Sequence, residues 1–432
     1  MRHELKICFL YLSIFPEDYE IDVEKLIHLL VAEGFIQEDE EMMMEVVARY
    51  YIEELIDRSL VKAERIERGK VISCRIHDLL RDVAIKKAKD LNFVNVYNDQ
   101  HTSTTCRREV VHHLMNNKYL CDRRANKRMR SFLFFGESRG YVKTHNLKLK
   151  LLRVLNLGGF MFDCKGDVGK SLPDVIGDLI HLRYLGIVDT LVTNIPAFIS
   201  KLRFLQTLDA SDNDLFQGTT DLRKLTLLRH VIGKFVGELL ISDATNLQTL
   251  RSISSYSWSK LNHESLINLR DLEIYDDSEW VNQRRVPLDL TSFNKLRYLR
   301  VLKLEVTTFK LSYESEEAIG FIHFIFPSLE SLTLVGTILE EDPLHALQNL
   351  PRLEDLALQD CDRPKAKMRI SALGFGRLRK LELFMVRLDE LLIKEEAMPS
   401  LMELTLISQE RATKLLIPDR LRACVRGCYV TY

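Results

Sequence analysis

"LRVLNL", residues 152–157, carries leucine at its first, fourth and sixth positions. The outline L-x-x-L-x-L returns as "LRYLGI" (middle residue Leu185), "LQTLDA" (Leu208), "LRHVIG" (Val231) and "LQTLRS" (Leu250). It continues as "LRDLEI" (Leu272), "LRVLKL" (Leu302), "LESLTL" (Leu332), "LEDLAL" (Leu356), "LRKLEL" (Leu381) and "LMELTL" (Leu404). From Leu155 onward the middle residues are 30, 23, 23, 19, 22, 30, 30, 24, 25 and 23 positions apart. Alternation with period two is the pattern of a strand with one buried face. Self-similarity at an interval of about 20–29 residues marks a stacked array of short strands.

Each such unit cannot bury its leucines alone. Stacked units share one core and display the x side chains on a concave face. The sequence therefore predicts an irregular leucine-rich-repeat solenoid over 129–432, opening with "MRSFLFF" (129–135). Linkers such as "SLPDVIGDLIHL" (171–182) and "NIPAFISKLRFL" (194–205) pair a proline with a short helical or 3-10 segment. The uneven intervals imply loops of variable length along one rim.

Residues 1–98 lack the repeat. "DVEKLIHLLVAEGFI" (22–36) has helical spacing and a stop at Gly34, and "MMMEVVARYYIEELIDRSLV" (42–61) is a second amphipathic helix. "VKAERIERGKVISCRI" (61–76) reads as a hairpin turning at Arg68-Gly69. Helices followed by a hairpin give a winged helix, so the predicted fold is α+β: a winged-helix domain (1–98), a basic linker (99–128) and the solenoid (129–432). The 432 residues suit this plan, since one ordinary core rarely spans so many.

The 61 Lys+Arg nearly cancel the 62 Asp+Glu, so net charge favours neither nucleic acid nor membrane as a partner. Its distribution says more. Residues 1–60 carry five basic and fifteen acidic side chains, whereas residues 101–150 carry twelve and three. Opposed neighbouring segments are expected to face each other or a charged partner. The basic run holding Arg123, Arg124, Lys127 and Arg128 is the candidate for such intramolecular docking. A winged helix that binds DNA needs Lys and Arg on its helices, and here they are acidic. The eight cysteines are scattered without C-x-x-C pairs, which suits reduced thiols in the cytoplasm. No apolar run approaches the roughly 20 residues that span a bilayer.

Catalytic constellations are missing. "GDVGKSLPD" (166–174) ends like a phosphate loop, but the loop's first glycine would fall at Cys164 and a repeat linker follows. His112-His113 has no ligand partners at metal spacing. An enzyme is not expected.

"RIHDLLRD" (75–82) sets His77 and Asp78 between a β-like run and a helical run. The plain reading is that Asp78 caps a helix beginning at Leu79 and His77 closes the hairpin. A second role can coexist, because an imidazole at a helix N-terminus is placed to donate to an anion such as phosphate.

"LKICFLYLSIFPEDYEI" (5–21) followed by "KLIHLLVAEGFI" (25–36) resembles the winged-helix subdomain of plant nucleotide-binding leucine-rich-repeat immune receptors of the coiled-coil class. "RIHDLLRDVA" stands where that family has its Met-His-Asp motif, with Ile76 for the usual Met. The resemblance covers nearly the whole chain. It implies that His77 contacts the β-phosphate of ADP in the resting state and that Asp78 supports the motif. It also implies that the repeats pack on the nucleotide-binding domain and repress it until a pathogen effector, or a host protein guarded against one, is sensed. Exchange of ADP for ATP then triggers defence and cell death.

The family's coiled coil, P-loop and Walker-B strand have no counterpart in these 432 residues. The chain is accordingly expected to be a fragment or truncated product that binds no ADP or ATP tightly by itself. The resemblance implies a cytoplasmic address, or peripheral attachment to the plasma membrane. The other reading is a freestanding repeat adaptor or inhibitor. For partner recognition the outward positions of the later strands are the candidates: Arg270, Asp271, Glu330, Ser331, Glu354, Asp355, Arg379 and Lys380.

Overall fold

The structure, a computed structural model, describes residues 2–37, 41–67, 69–97, 106–112, 128–135, 141–142, 149–162, 171–242, 244–276, 286–306, 309–310, 322–338, 342–361, 367–384, 390–408 and 414–430. The chain divides into two units, Met1–Phe216 with Thr220–Gly233, and Gln217–Thr219 with Lys234–Tyr432.

The first unit begins with the winged helix. Helix α1 (His3–Tyr11) buries Leu5, Cys8, Phe9 and Tyr11, and runs into a 3-10 turn at Leu12–Ile14. The turn stops because Phe15 precedes a proline and is extended, with φ −81° and ψ 146°. Helix α2 (Val23–Glu33) is capped by Asp22, whose Oδ1 accepts from the Lys25 amide at 2.8 Å. Gly34, at φ +79°, ends it in the left-handed conformation that a side chain would resist. Helix α3 (Met44–Asp57) follows without a side-chain cap at Met43. Strands β2 (Val61–Glu67) and β3 (Lys70–Ile76) form the expected hairpin, and β1 (Ile21–Asp22) adds antiparallel to β3. Helix α4 is Asp78–Asp90.

A parallel ladder then starts earlier than residue 129. Strand β4 (Asn95–Val96) pairs with β5 (Arg108–Val111), and β5 with β6 (Ser131–Phe134), so two strands precede the first expected one. "REVV" escaped the repeat pattern because it has no leucine, yet all four of its residues are buried. From β6 the order runs through Val154–Asn156, Tyr184–Gly186 and Thr207–Asp209 to the strand that begins at His230.

The second unit repeats the ladder. Leu250, Leu272, Leu302, Leu332, Leu356, Leu381 and Leu404 are direct cross-strand partners in that order. All eleven middle residues, Leu155 to Leu404, are at most 2% exposed, so the shared core lies where the pattern put it. Pro173 and Pro196 each open a 3-10 segment, Asp174–Asp178 and Ala197–Lys201. The segment after the lysine of "GDVGKSLPD" is thus a five-residue 3-10 turn, not a nucleotide-loop helix. Each of the three 30-residue intervals contains a stretch outside the described residues.

Candidate functional site

The first unit gathers its charge where α2 ends. The last four carbonyls of an α-helix lack partners within the helix and carry negative partial charge, which favours cations nearby. Here the cations come from the repeats. Arg153 Nη1 donates to the Glu33 carbonyl at 3.3 Å. Both Arg153 and Arg183 place a guanidinium nitrogen 3.5 Å from where a Cβ on Gly34 would stand. The Glu33 side chain is enclosed as well: Arg108 Nε donates to Oε2 at 2.9 Å and Ser131 Oγ to Oε1 at 2.5 Å. The Arg108 guanidinium also lies 4.7 Å from the Phe35 ring centre and 4.4 Å from that of Phe93. Nearby, His112 Nε2 donates to the Ile14 carbonyl at 2.8 Å and Phe15 packs on Phe135, ring centres 5.2 Å apart.

Register sets the arginines in a column. The amide of Arg130 donates to the carbonyl of Arg107, that of Arg153 to Arg130, and that of Arg183 to Arg153. Each arginine immediately precedes an inward-facing strand, so strand stacking fixes their spacing at about 4.8 Å per step. Like charges this close repel. Burial, then the charges of Arg153, Arg107 and Arg108, hold the Arg130 guanidinium below its usual value. Burial and then Arg183 do the same to Arg153, while Glu33 opposes. Arg130, Arg153 and Arg183, with Leu151, His181 and Phe204, line a cavity of about 170 Å³. Leu151 and Phe204 are each 46% exposed, so the cavity is cationic with apolar flanks. It is suited to an acidic, partly apolar surface.

Opposite charges from residues 1–60 and 101–150 therefore do meet, but through Arg108 and Glu33. Arg123, Arg124 and Lys127 lie outside the described residues, and Arg128 is exposed. The column could have been found in the sequence: Arg130, Arg153, Arg183 and Arg229 each stand directly before the buried strand of a repeat.

The His-Asp motif needs one correction. The N-cap of α4 is His77, whose Nδ1 accepts from the Leu79 amide at 3.4 Å, and Asp78 is the first helical residue. Asp78 still serves the helix, as an acidic side chain in the first turn. His77, Asp78 and Leu79 are all exposed, and Leu79 is 72% so. Arg81, one turn on, donates to the Phe15 carbonyl at 3.2 Å and ties α4 to the 3-10 turn.

A leucine-rich repeat region model matches residues 128–422, and a disease resistance protein winged helix domain model matches residues 14–84. Putative disease resistance RPP13-like protein 3 of Arabidopsis thaliana is 73% identical over 99% of this chain and 51% of its own length. The chain belongs to the leucine-rich-repeat disease resistance proteins.

Two further Arabidopsis thaliana members of this family are similar over 98% of the chain: putative disease resistance RPP13-like protein 2 at 64% identity and disease resistance protein RPP13 at 62%. The chain spans about half the length of these curated relatives, 52% and 50%. Neither matched family description names an enzyme. No helix among the described residues is long and apolar enough to cross a membrane.

In this family member the solvent face of the second unit's ladder is charged. Asp271, Val301, Ser331, Asp355, Lys380 and Glu403 form one cross-strand row. Ser331 and Asp355 are only 2% and 5% exposed, contrary to their expected role as contact residues. Short side chains in a row of close-set strands are covered by longer neighbours. Arg379 is exposed, and Arg270, Asp271, Glu330, Glu354 and Lys380 are half-buried. A second row went unnoticed in the sequence: Glu273, Lys303, Thr333, Ala357, Glu382 and Thr405. Within it Lys303 Nζ lies 2.6 Å from Glu273 Oε1.

Proposed function

We propose that this chain is the sensor and autoinhibitory part of an intracellular plant immune receptor. In this reading its winged helix completes a nucleotide-binding module that switches between ADP and ATP, and its repeats both repress that module and sense a pathogen effector or a guarded host protein. The single observation that carries the reading is the seat of α2 on the first repeats. Glu33 joins Arg108 and Ser131 there, a buried tie between the winged helix and the first repeats. A repeat array so coupled to the subdomain bearing His77 can restrain it, and a partner gripping the repeats can change that restraint. The column of Arg130, Arg153 and Arg183 offers an acidic surface of the remaining module a place to dock.

The reading is tested by reassembly in plant leaf tissue. The N-terminal half of an RPP13-like relative is expressed with and without this chain, and association and cell death are scored. Association with suppression of cell death is expected. Failure to associate would overturn the reading and favour a freestanding adaptor.

A further inference from the structure

A second ionic contact joins the winged helix to the repeats, and it is built differently from the first. Glu45, in the opening turn of α3, accepts two hydrogen bonds from Arg229: Nε to Oε1 at 2.7 Å and Nη2 to Oε2 at 2.6 Å. His230 Nε2 stands 3.2 Å from the same Oε1. His28 of α2 lies against His230, their ring centres 3.9 Å apart at 32°. These groups come from residues 184 and 185 positions apart, so the contact is wholly tertiary.

Two differences set it apart from Glu33–Arg108. In that pair Arg108 is 9% and Glu33 0% exposed, and Phe35 and Phe93 flank the arginine. The Arg229 and Glu45 side chains are 17% and 13% exposed. The second pair is therefore the more open to water. The other difference is local. Met43 supplies no side-chain cap to α3, and Glu45, in that first turn, ties it to the repeats. The anchor point is also telling: Arg229 and His230 stand at the end of the first unit, whose last residue is Gly233, and the chain runs on from there into the second.

We propose that Glu45, Arg229, His230 and His28 form a reversible latch, and Glu33–Arg108 the fixed pivot, between winged helix and repeats. Opening the latch detaches the first turn of α3 from the repeats while the end of α2 stays seated. This inference concerns the resting mechanics of the chain and does not depend on its role in immunity.

Hydrogen–deuterium exchange of the 432-residue chain tests it, comparing wild type with Glu45→Arg, Arg229→Glu and the two combined. A charged hydrogen-bonded pair of this kind governs opening by roughly tenfold or more. Each single change should speed exchange of amides in 41–50 by about that factor and leave 31–34 and 106–112 as they were. The combined swap should return 41–50 to within about threefold of wild type, a recovery that lost packing alone would not give. Glu45→Gln, which keeps shape and removes charge, gives the same readout if a reversed charge prevents folding. Wild-type exchange in the single variants, no recovery in the swap, or equal acceleration in 31–34 would each overturn the proposal.

Discussion

Arg108 and Glu33, seventy-five positions apart, share a 2.9 Å hydrogen bond in which the carboxylate is fully enclosed. Removing one partner of such a pair strands a buried charge, which costs about 3–5 kcal/mol, whereas exchanging both for apolar residues is often neutral. Glu33→Ala should therefore lower the stability of the first unit by an amount in that range. Glu33→Leu combined with Arg108→Met should recover most of it. Denaturant unfolding followed by tyrosine absorbance would measure both, and equal losses in the single and double variants would contradict the assignment.

That contact also marks where sequence reading stops. The leucine rows, the α2 stop at Gly34 and the hairpin were legible because each rests on local periodicity or backbone chemistry. Charge balance gave the sign of the 1–60 and 101–150 meeting, but not its members. Most of the run around Arg123 lies outside the described residues, and register, which sequence shows only when repeats are aligned, adds Arg108, Arg130, Arg153 and Arg183. Ser331 and Asp355 were misread for a related reason. Period two assigns a face, and exposure on that face depends on neighbours one repeat away.

The arginine column leads to a test in a full-length receptor. Its members repel one another beside an apolar-flanked cavity, so an acidic surface docked there would relieve them. Reversing Arg130, Arg153 and Arg183 to Glu should raise resting cell-death signalling. Reversing Arg123, Arg124, Lys127 and Arg128 should act in the same direction. Docking of this kind weakens with salt, because charges beyond about 8 Å are screened at physiological ionic strength. Unchanged resting signalling in the first set would remove the column from the autoinhibitory surface.

Glu45 sets a pH response. Burial alone would raise its carboxyl, but the hydrogen bond and charge of His230, then those of Arg229, hold it well below its ordinary value of 4.5. With the folded value depressed, its contribution is complete above pH 4.5 and fades as pH falls through the lower folded value. First-unit stability should thus show a Glu45-dependent loss as pH falls below 4.5. Glu45→Gln should lower stability at neutral pH and flatten the acid loss. Parallel pH curves for the two proteins would show that the carboxylate is not the group responsible.

Partner choice is expected to follow the second unit. Exchanging the strands from Leu302 onward with those of an RPP13-like relative should transfer recognition of that relative's partner. Within the face, Arg379→Ala and Glu354→Ala should weaken partner binding with little effect on stability. Ser331 and Asp355, being buried, should show the reverse when enlarged. Pull-down with the cognate partner and thermal melting separate the two effects. Specificity that stayed with the winged helix would refute the assignment.

His77 decides what the chain can do with nucleotide. Its Nδ1 accepts from the Leu79 amide, so in the neutral ring the proton sits on Nε2, and the exposed imidazole has a donor to offer phosphate. One such charge-assisted hydrogen bond contributes about 1.5–3 kcal/mol. Millimolar affinity requires roughly 4 kcal/mol and micromolar roughly 8. Among the described residues no glycine-rich phosphate loop adds to it, since Ser171 of the "GKS" run instead bridges Asn194 between repeats. The 432-residue chain should therefore bind ADP or ATP no tighter than millimolar and hydrolyse neither. In a full-length receptor, His77→Ala should favour the active state by removing a contact to resting-state ADP. Asp78→Val should act similarly by weakening the first turn of α4. Calorimetric titration of the purified chain with ADP is the deciding measurement: a micromolar dissociation constant would mean that this half holds a complete site, and that His77 does not work as one donor among many.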